Sequence, residues 1–208
     1  MRIVAVASLR GDGIRVKQMY DEAGRVLLCA GVKLKPYYIN RIKELGITSV
    51  YIDDDISKNI QIEESISEKT RRMSKRAVKE MISKYCREGK TYSSSVMNSV
   101  DSVIEDVLSN KDILINVAEI SSSDNNIYSH SVNVCVLSTI IGTHMGYSTL
   151  KLKDIAAGAL LHDIGKIKIM NDSEILKKFK DKKDLDKYIK FNHPKIGYDF
   201  LGKQQVWR

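Results

Sequence analysis

The stretch 156-AAGALLHDIGKIKI-169 decides how the chain is read. A helical run of Ala, Gly and Leu ends on His162 and Asp163, and a second apolar pattern, Ile164, Ile167 and Ile169, follows at once. Charge at the edge of a buried run is costly unless it is paired or bound to a metal. Adjacent residues on a continuous helix point about 100° apart, so His162 would cap one ion while Asp163 reached toward a second. Two cations about 3.5–4 Å apart can activate a water and clamp a phosphate. Lys166, four residues after His162, projects on the same face if the helical turn continues, where it can hold a phosphate oxygen. Gly165 removes bulk where a ligand could approach. The bland alternative is a capped helix end with a hydrogen-bonded imidazole.

Working outward, the other histidines are His130, His144 and His193. His130 lies in 127-IYSHSVNV-134, near the start of a helix. His193 heads 192-NHPKIGYDFL-201, where Pro194 suits the first helical position and leaves Asn192 or His193 as the cap. Imidazoles and a carboxylate together suit first-row divalent ions such as iron, manganese, zinc or nickel. His144 belongs to no motif and reads as structural or exposed.

The fold class expected is mainly α, a helical domain preceded by a small α/β unit. Residues 1–60 contain a β-hairpin pattern with a turn at Asp21 to Gly24 and a helix in 35-KPYYINRIKELG-46. That helix has Tyr38, Ile42 and Leu45 on one face and Gly46 as its stop. The strand 47-ITSVYID-53 follows, ended by Asp53 to Asp55. Residues 61–92 form a connector helix, on which Ile62, Ile66, Met73, Ala77, Met81 and Tyr85 recur against a charged face. That stripe docks on the following domain or on a second copy, giving a homodimer. Residues 93–208 are helical. Val96, Val100, Val103, Ile104, Val107 and Leu108 mark one helix; Val134, Leu137, Ile141 and Met145 mark the next, ending near Gly146. Ile155, Ala156, Ala159 and Leu160 mark a third.

The chain of 208 residues carries a net charge of +8, and six of those charges fall in residues 151–208, with 14 Lys and Arg against 8 Asp and Glu. The acids interleaved in 177-KKFKDKKDLDKYIK-190 make this a solvated helix face, and nucleic acid is not an expected partner. No apolar run approaches a membrane span, and no cleavable leader is evident at the N-terminus. Cys29, Cys86 and Cys135 are scattered, in no C-x-x-C pair, which fits small core residues in a reducing cytoplasm.

The series 128-YSHSVNVCVLS-138, 157-AGALLHDIGKIKI-169 and 192-NHPKIGYDFL-201, in this order, resembles the HD-GYP subgroup of HD-domain metal phosphohydrolases. The resemblance covers roughly residues 95–205, and implies an all-helical bacterial domain that hydrolyses cyclic di-GMP to the linear dinucleotide and onward to GMP. It implies His130, His162, Asp163 and His193 as metal ligands, with Asp163 bridging in a dinuclear iron or manganese centre. Lys166 corresponds to the lysine that contacts substrate phosphate, making Asp163 and Lys166 the catalytic pair. Asn126 stands where members with a third metal carry glutamate, which argues against a trinuclear site. The family's histidine pair with glutamate, a further aspartate and the GYP signature do not occur in these 208 residues. The expectation is a C-terminally truncated, inactive HD-GYP domain whose centre is incomplete. The alternatives are a non-catalytic signalling module and an HD hydrolase of another nucleotide.

Overall fold

The computed structural model describes residues 2–10, 14–20, 26–57, 65–88, 94–110 and 127–203, which divide into two units, one ending at Ser65 and one beginning at Ile66. The molecule is mainly helical with a small sheet. In the first unit, strands β1 (Arg2–Ala5), β2 (Arg15–Val16), β3 (Met19–Tyr20) and β4 (Val26–Leu28) precede helix α1 (Pro36–Glu44) and strand β5 (Ser49–Asp53). The β-branched strand β5 is central: β1 and β2 flank it, both antiparallel, with Arg2 and Val16 each opposite Ile52. Its side chains alternate, so Val50 and Ile52 are buried while Ser49, Tyr51 and Asp53 are half-buried. β3 and β4 pair antiparallel with Met19 opposite Leu28; the expected turn at Asp21 to Gly24 lies outside the described residues.

Helix α1 begins on Pro36, whose missing amide costs nothing in the first turn. It ends before Gly46, which takes φ +74° and donates its amide to the Lys43 carbonyl at 2.9 Å. The helix buries Ile39 and Ile42, whereas Leu45, expected on the inner face, is 45% exposed. Ile39 and Ile42 are neighbours at i, i+3, and the cluster of Val6, Leu34, Val50 and Ile52 meets that side of the helix. Asp54, just past β5, accepts from Arg2 Nε at 2.9 Å and from the Ser57 hydroxyl at 2.7 Å. Those bonds, Arg2 first, hold its carboxyl down to about 2.

In the second unit, α2 (Glu68–Glu88) packs against α3 (Ser94–Ser109) and α4 (Ile127–His144). α3 also packs on α5 (Thr149–Leu161), and α4 packs along α5. Beyond them, α6 (Ile164–Met170) packs on α7 (Ser173–Leu176) and on the long α8 (Lys182–Lys203). On α2 the buried residues Ala77, Val78, Met81 and Ile82 form the inner face, and Met73 is exposed; Ile62 lies outside the described residues. α3 buries the expected face of Val96, Val100, Val103, Ile104 and Val107. A Val or Ile fully withdrawn from water contributes about 1.5–3 kcal/mol, so this helix is a main support of the unit.

α4 departs from expectation. Its buried positions are Val132, Cys135, Val136, Thr139 and Ile140, while Ile141 and Met145 are exposed and Val134 and Leu137 are half-buried. The helix is apolar on nearly every side, so its sequence offers two candidate inner faces. Packing against α2, α3 and α5 selects the one centred on Cys135. The end of α8 also differs: no helix starts at Pro194, because α8 runs through it from Lys182.

Two of the three cysteines, Cys29 and Cys86, are exposed rather than core residues, and only Cys135 is buried. Burial pushes the Cys135 thiol up to about 12, so almost none of it is thiolate at pH 8, and thiolate is the reactive form. A disulfide-exchange reagent at pH 8 is expected to titrate two thiols in the native chain and the third only in denaturant. Rapid native labelling of all three would show that α4 is not packed as described.

Candidate metal centre

The pair His162–Asp163 lies at a break between helices, not inside one. His162 still has helical dihedrals (φ −55°, ψ −34°), whereas Asp163 turns out at φ −100°, ψ 12° before α6 begins. This break overturns the expectation that the two side chains diverge. His162 Nε2 lies 3.3 Å from Asp163 Oδ2, so the adjacent pair faces one common point.

Three further groups converge on the same carboxylate, which is 2% exposed. His130, from the first turn of α4, brings Nε2 to 3.7 Å from Oδ2. His193, from the middle of α8, brings Nε2 to 3.5 Å from Oδ1. Lys166, one turn into α6, brings Nζ to 2.9 Å from Oδ2. Because the helix is interrupted, Lys166 is paired with Asp163 and is not simply stacked on His162. The His130 and His162 rings meet edge to face, with centroids 5.2 Å apart. His144 stays at the end of α4, its Nδ1 bonded to the Ile140 carbonyl at 2.9 Å.

Two of the three ring nitrogens that face away from Asp163 are held by backbone. His162 Nδ1 bonds the Ala159 carbonyl at 2.8 Å, and His193 Nδ1 lies 2.9 Å from the Ile189 carbonyl and 3.1 Å from that of Lys190. A carbonyl oxygen only accepts, so both Nδ1 atoms carry the proton. In a neutral imidazole Nε2 then presents a lone pair, and here it presents that lone pair to a buried carboxylate. Such an arrangement is repulsive unless a cation or a proton lies between the groups. One ligand atom from each of His130, His162 and Asp163 lies within 4.8 Å of the others. Donors bound at about 2.0–2.2 Å to a single ion stand roughly 3–4 Å apart. These three donors therefore fit a divalent ion, with a carbonyl holding the outer nitrogen of His162 as is usual for metal-binding histidines; His193, which reaches the other carboxylate oxygen, lies outside that group of three.

Two glycines set the approach of α8 to this point. A Cβ on Gly165 would overlap the His193 carbonyl oxygen and lie 2.8 Å from the Gly197 amide nitrogen. Gly197 in turn lies against Gly165 and Ile164. The absent side chain of Gly165 thus makes room for the backbone of α8, and not for a ligand as the sequence suggested.

Sequence reasoning passed over one neighbour. On α4, Asn133 lies one turn from His130 and accepts a hydrogen bond from Arg71 Nη1 of α2 at 2.8 Å. That bond anchors a guanidinium beside the histidine-bearing face of α4. The signal was the i, i+3 spacing of His130 and Asn133, which by itself says nothing of α2.

No helix among the described residues is long and apolar enough to cross a membrane. Neither the curated proteins nor the solved structures give a match to this chain. Residues 127–208 match the family model of the HD domain. That segment carries His130, His162, Asp163, Lys166 and His193 together, and the match supports placing it in the HD-domain phosphohydrolase superfamily, whose members suggest a metal-dependent hydrolase.

Proposed function

We propose that the helical unit of this chain is an HD domain of the HD-GYP type, a cytoplasmic metal-binding module related to cyclic di-GMP phosphodiesterases, holding one divalent iron or manganese ion. The observation that carries the metal reading is the set of three imidazole Nε2 atoms turned toward one buried carboxylate, two of them with Nδ1 committed to carbonyls. His130, His162 and Asp163 would hold the ion, and His193, on the other carboxylate oxygen, is the fourth donor that the family resemblance adds. The motifs HDIGK and HPKIGY support the cyclic dinucleotide as substrate. When bound, the ion supplies Lewis acidity toward a phosphoryl group and toward water.

The protein's own side chains have separate tasks. Asp163 is the single anionic donor among the described residues and would neutralise part of the ion's charge. The Ala159, Ile189 and Lys190 carbonyls keep His162 and His193 in the tautomer that donates through Nε2. Lys166 places an ammonium at the rim of the centre, 33% exposed, where it can contact a phosphate oxygen. Four donors suffice for one ion with waters completing its shell, and two ions in octahedral geometry would need more donors than these residues offer.

Elemental analysis after incubation with Mn²⁺ or, without oxygen, Fe²⁺ is expected to show one ion per chain, with no cleavage of cyclic di-GMP by these 208 residues. A second bound ion or measurable turnover would overturn the single-ion reading. No bound ion at all would overturn the metal centre and leave the non-catalytic signalling module in its place.

A further inference from the structure

We propose that Pro194 is a positioning residue of the metal centre: by removing an amide from the interior of α8, it gives the Lys190 carbonyl to the His193 ring. α8 runs continuously from Lys182 to Lys203 with Pro194 inside it. Proline in a helix interior removes the bond from its own nitrogen to the carbonyl four residues back and crowds that carbonyl. Four residues back from Pro194 is Lys190. Its carbonyl, left without the amide an uninterrupted helix would provide, lies 3.1 Å from His193 Nδ1, and the Ile189 carbonyl lies 2.9 Å from the same atom. The imidazole replaces the missing backbone donor.

The substitution of donor has a consequence at the other end of the ring. With Nδ1–H shared between two carbonyls, the proton is held on Nδ1 and the ring plane is set. Nε2 then presents its lone pair 3.5 Å from Asp163 Oδ1. Were residue 194 an ordinary amino acid, its amide would compete for Lys190, and the ring would lose one of its two backbone partners. A helix-breaking residue in a 22-residue helix is thus tied to the aim of the histidine before it. The hydrogen-bond exchange stands on this geometry alone; its effect on metal affinity rests on the metal centre proposed above.

Pro194→Ala separates this role from a purely structural one, because the two predict opposite signs. Alanine is the best helix former and proline the worst, so the metal-free variant is expected to melt higher, by roughly 5 °C. Its Mn²⁺ affinity, measured by calorimetric titration of the metal-free chain, is expected to fall about 10-fold, the scale of losses when a ligand's supporting hydrogen bond is removed. Pro194→Leu, which restores the same amide with a different side chain, is expected to show the same loss. Long-range ¹H–¹⁵N spectra of the metal-free proteins should show His193 protonated on Nδ1 in the natural chain and a gain of the Nε2–H tautomer in both variants. Affinity within twofold of the natural chain, or an unchanged tautomer, overturns the proposal. If the natural chain binds no Mn²⁺, the metal centre falls, and the tautomer comparison alone decides the role of Pro194.

Discussion

Gly165→Ala is expected to be the most damaging single-methyl change in the helical unit. The added Cβ would overlap the His193 carbonyl oxygen and crowd the Gly197 amide, and both are backbone atoms with no rotamer to escape into. The only relief is for α6 and α8 to move apart. Overpacking of a well-filled contact costs about 1–3 kcal/mol, and a clash against rigid backbone belongs at the upper end. For a chain of this size that corresponds to a fall in melting temperature of roughly 6–10 °C. The same separation withdraws His193 from Asp163, so metal binding should weaken along with stability. Gly197→Ala is the internal comparison. Its Cβ would come no closer than 3.3 Å to Gly165 N and Ile164 Cγ2, a squeeze that small shifts absorb, and its effect should be clearly smaller. Thermal denaturation followed by circular dichroism ranks the two. If Gly197→Ala proved the more harmful, the helix crossing described here would be wrong.

Asp163→Asn is expected to abolish tight metal binding while leaving the fold in place. Asparagine has the same shape as aspartate, so the buried space between α5, α6 and α8 stays filled. What disappears is the only anionic donor among the described residues, the atom pair that faces three Nε2 atoms and Lys166 Nζ at 2.9–3.7 Å. The loss of affinity should exceed the roughly 10–100-fold seen when only a supporting contact is removed. Lys166 would lose its partner too, but its side chain is one-third exposed, so its ammonium can turn to water and the destabilisation should be modest. Calorimetric titration with Mn²⁺, beside a melting curve of the metal-free variant, separates the two effects. Retained affinity would mean that Asp163 is a structural carboxylate paired with Lys166 and not a ligand.

These two variants mark the points where a local reading of the sequence falls short. The ligand candidates could be picked out because histidine is rare here and each one stands in a helical pattern beside a polar or glycine-rich motif. The apolar face of α3 could also be read, since only one side of that helix is apolar. The face of α4 could not, because Val132, Cys135 and Ile140 compete with Val134, Leu137 and Ile141 on a helix apolar all round. Pro194 was misplaced for a related reason. Proline favours a first turn by local preference, and nothing local says that the neighbouring histidine will take over its missing hydrogen bond.

By itself the sequence determined a mainly helical chain with a small β-containing start, the histidines and aspartate proposed here as ligands, and the likeness of HDIGK and HPKIGY to one hydrolase subgroup. Those properties follow from side-chain chemistry and from periodicity over a few turns. Only the tertiary structure decided that His162 and Asp163 face one point, that Lys166 pairs with Asp163, and that His193, thirty residues further on, approaches the other carboxylate oxygen. The break at Asp163 and the crossing of α6 over α8 at Gly165 and Gly197 set those directions. A metal centre depends on where lone pairs meet in space, and helix breaks and crossing points, which spacing along the chain does not contain, determine where they meet.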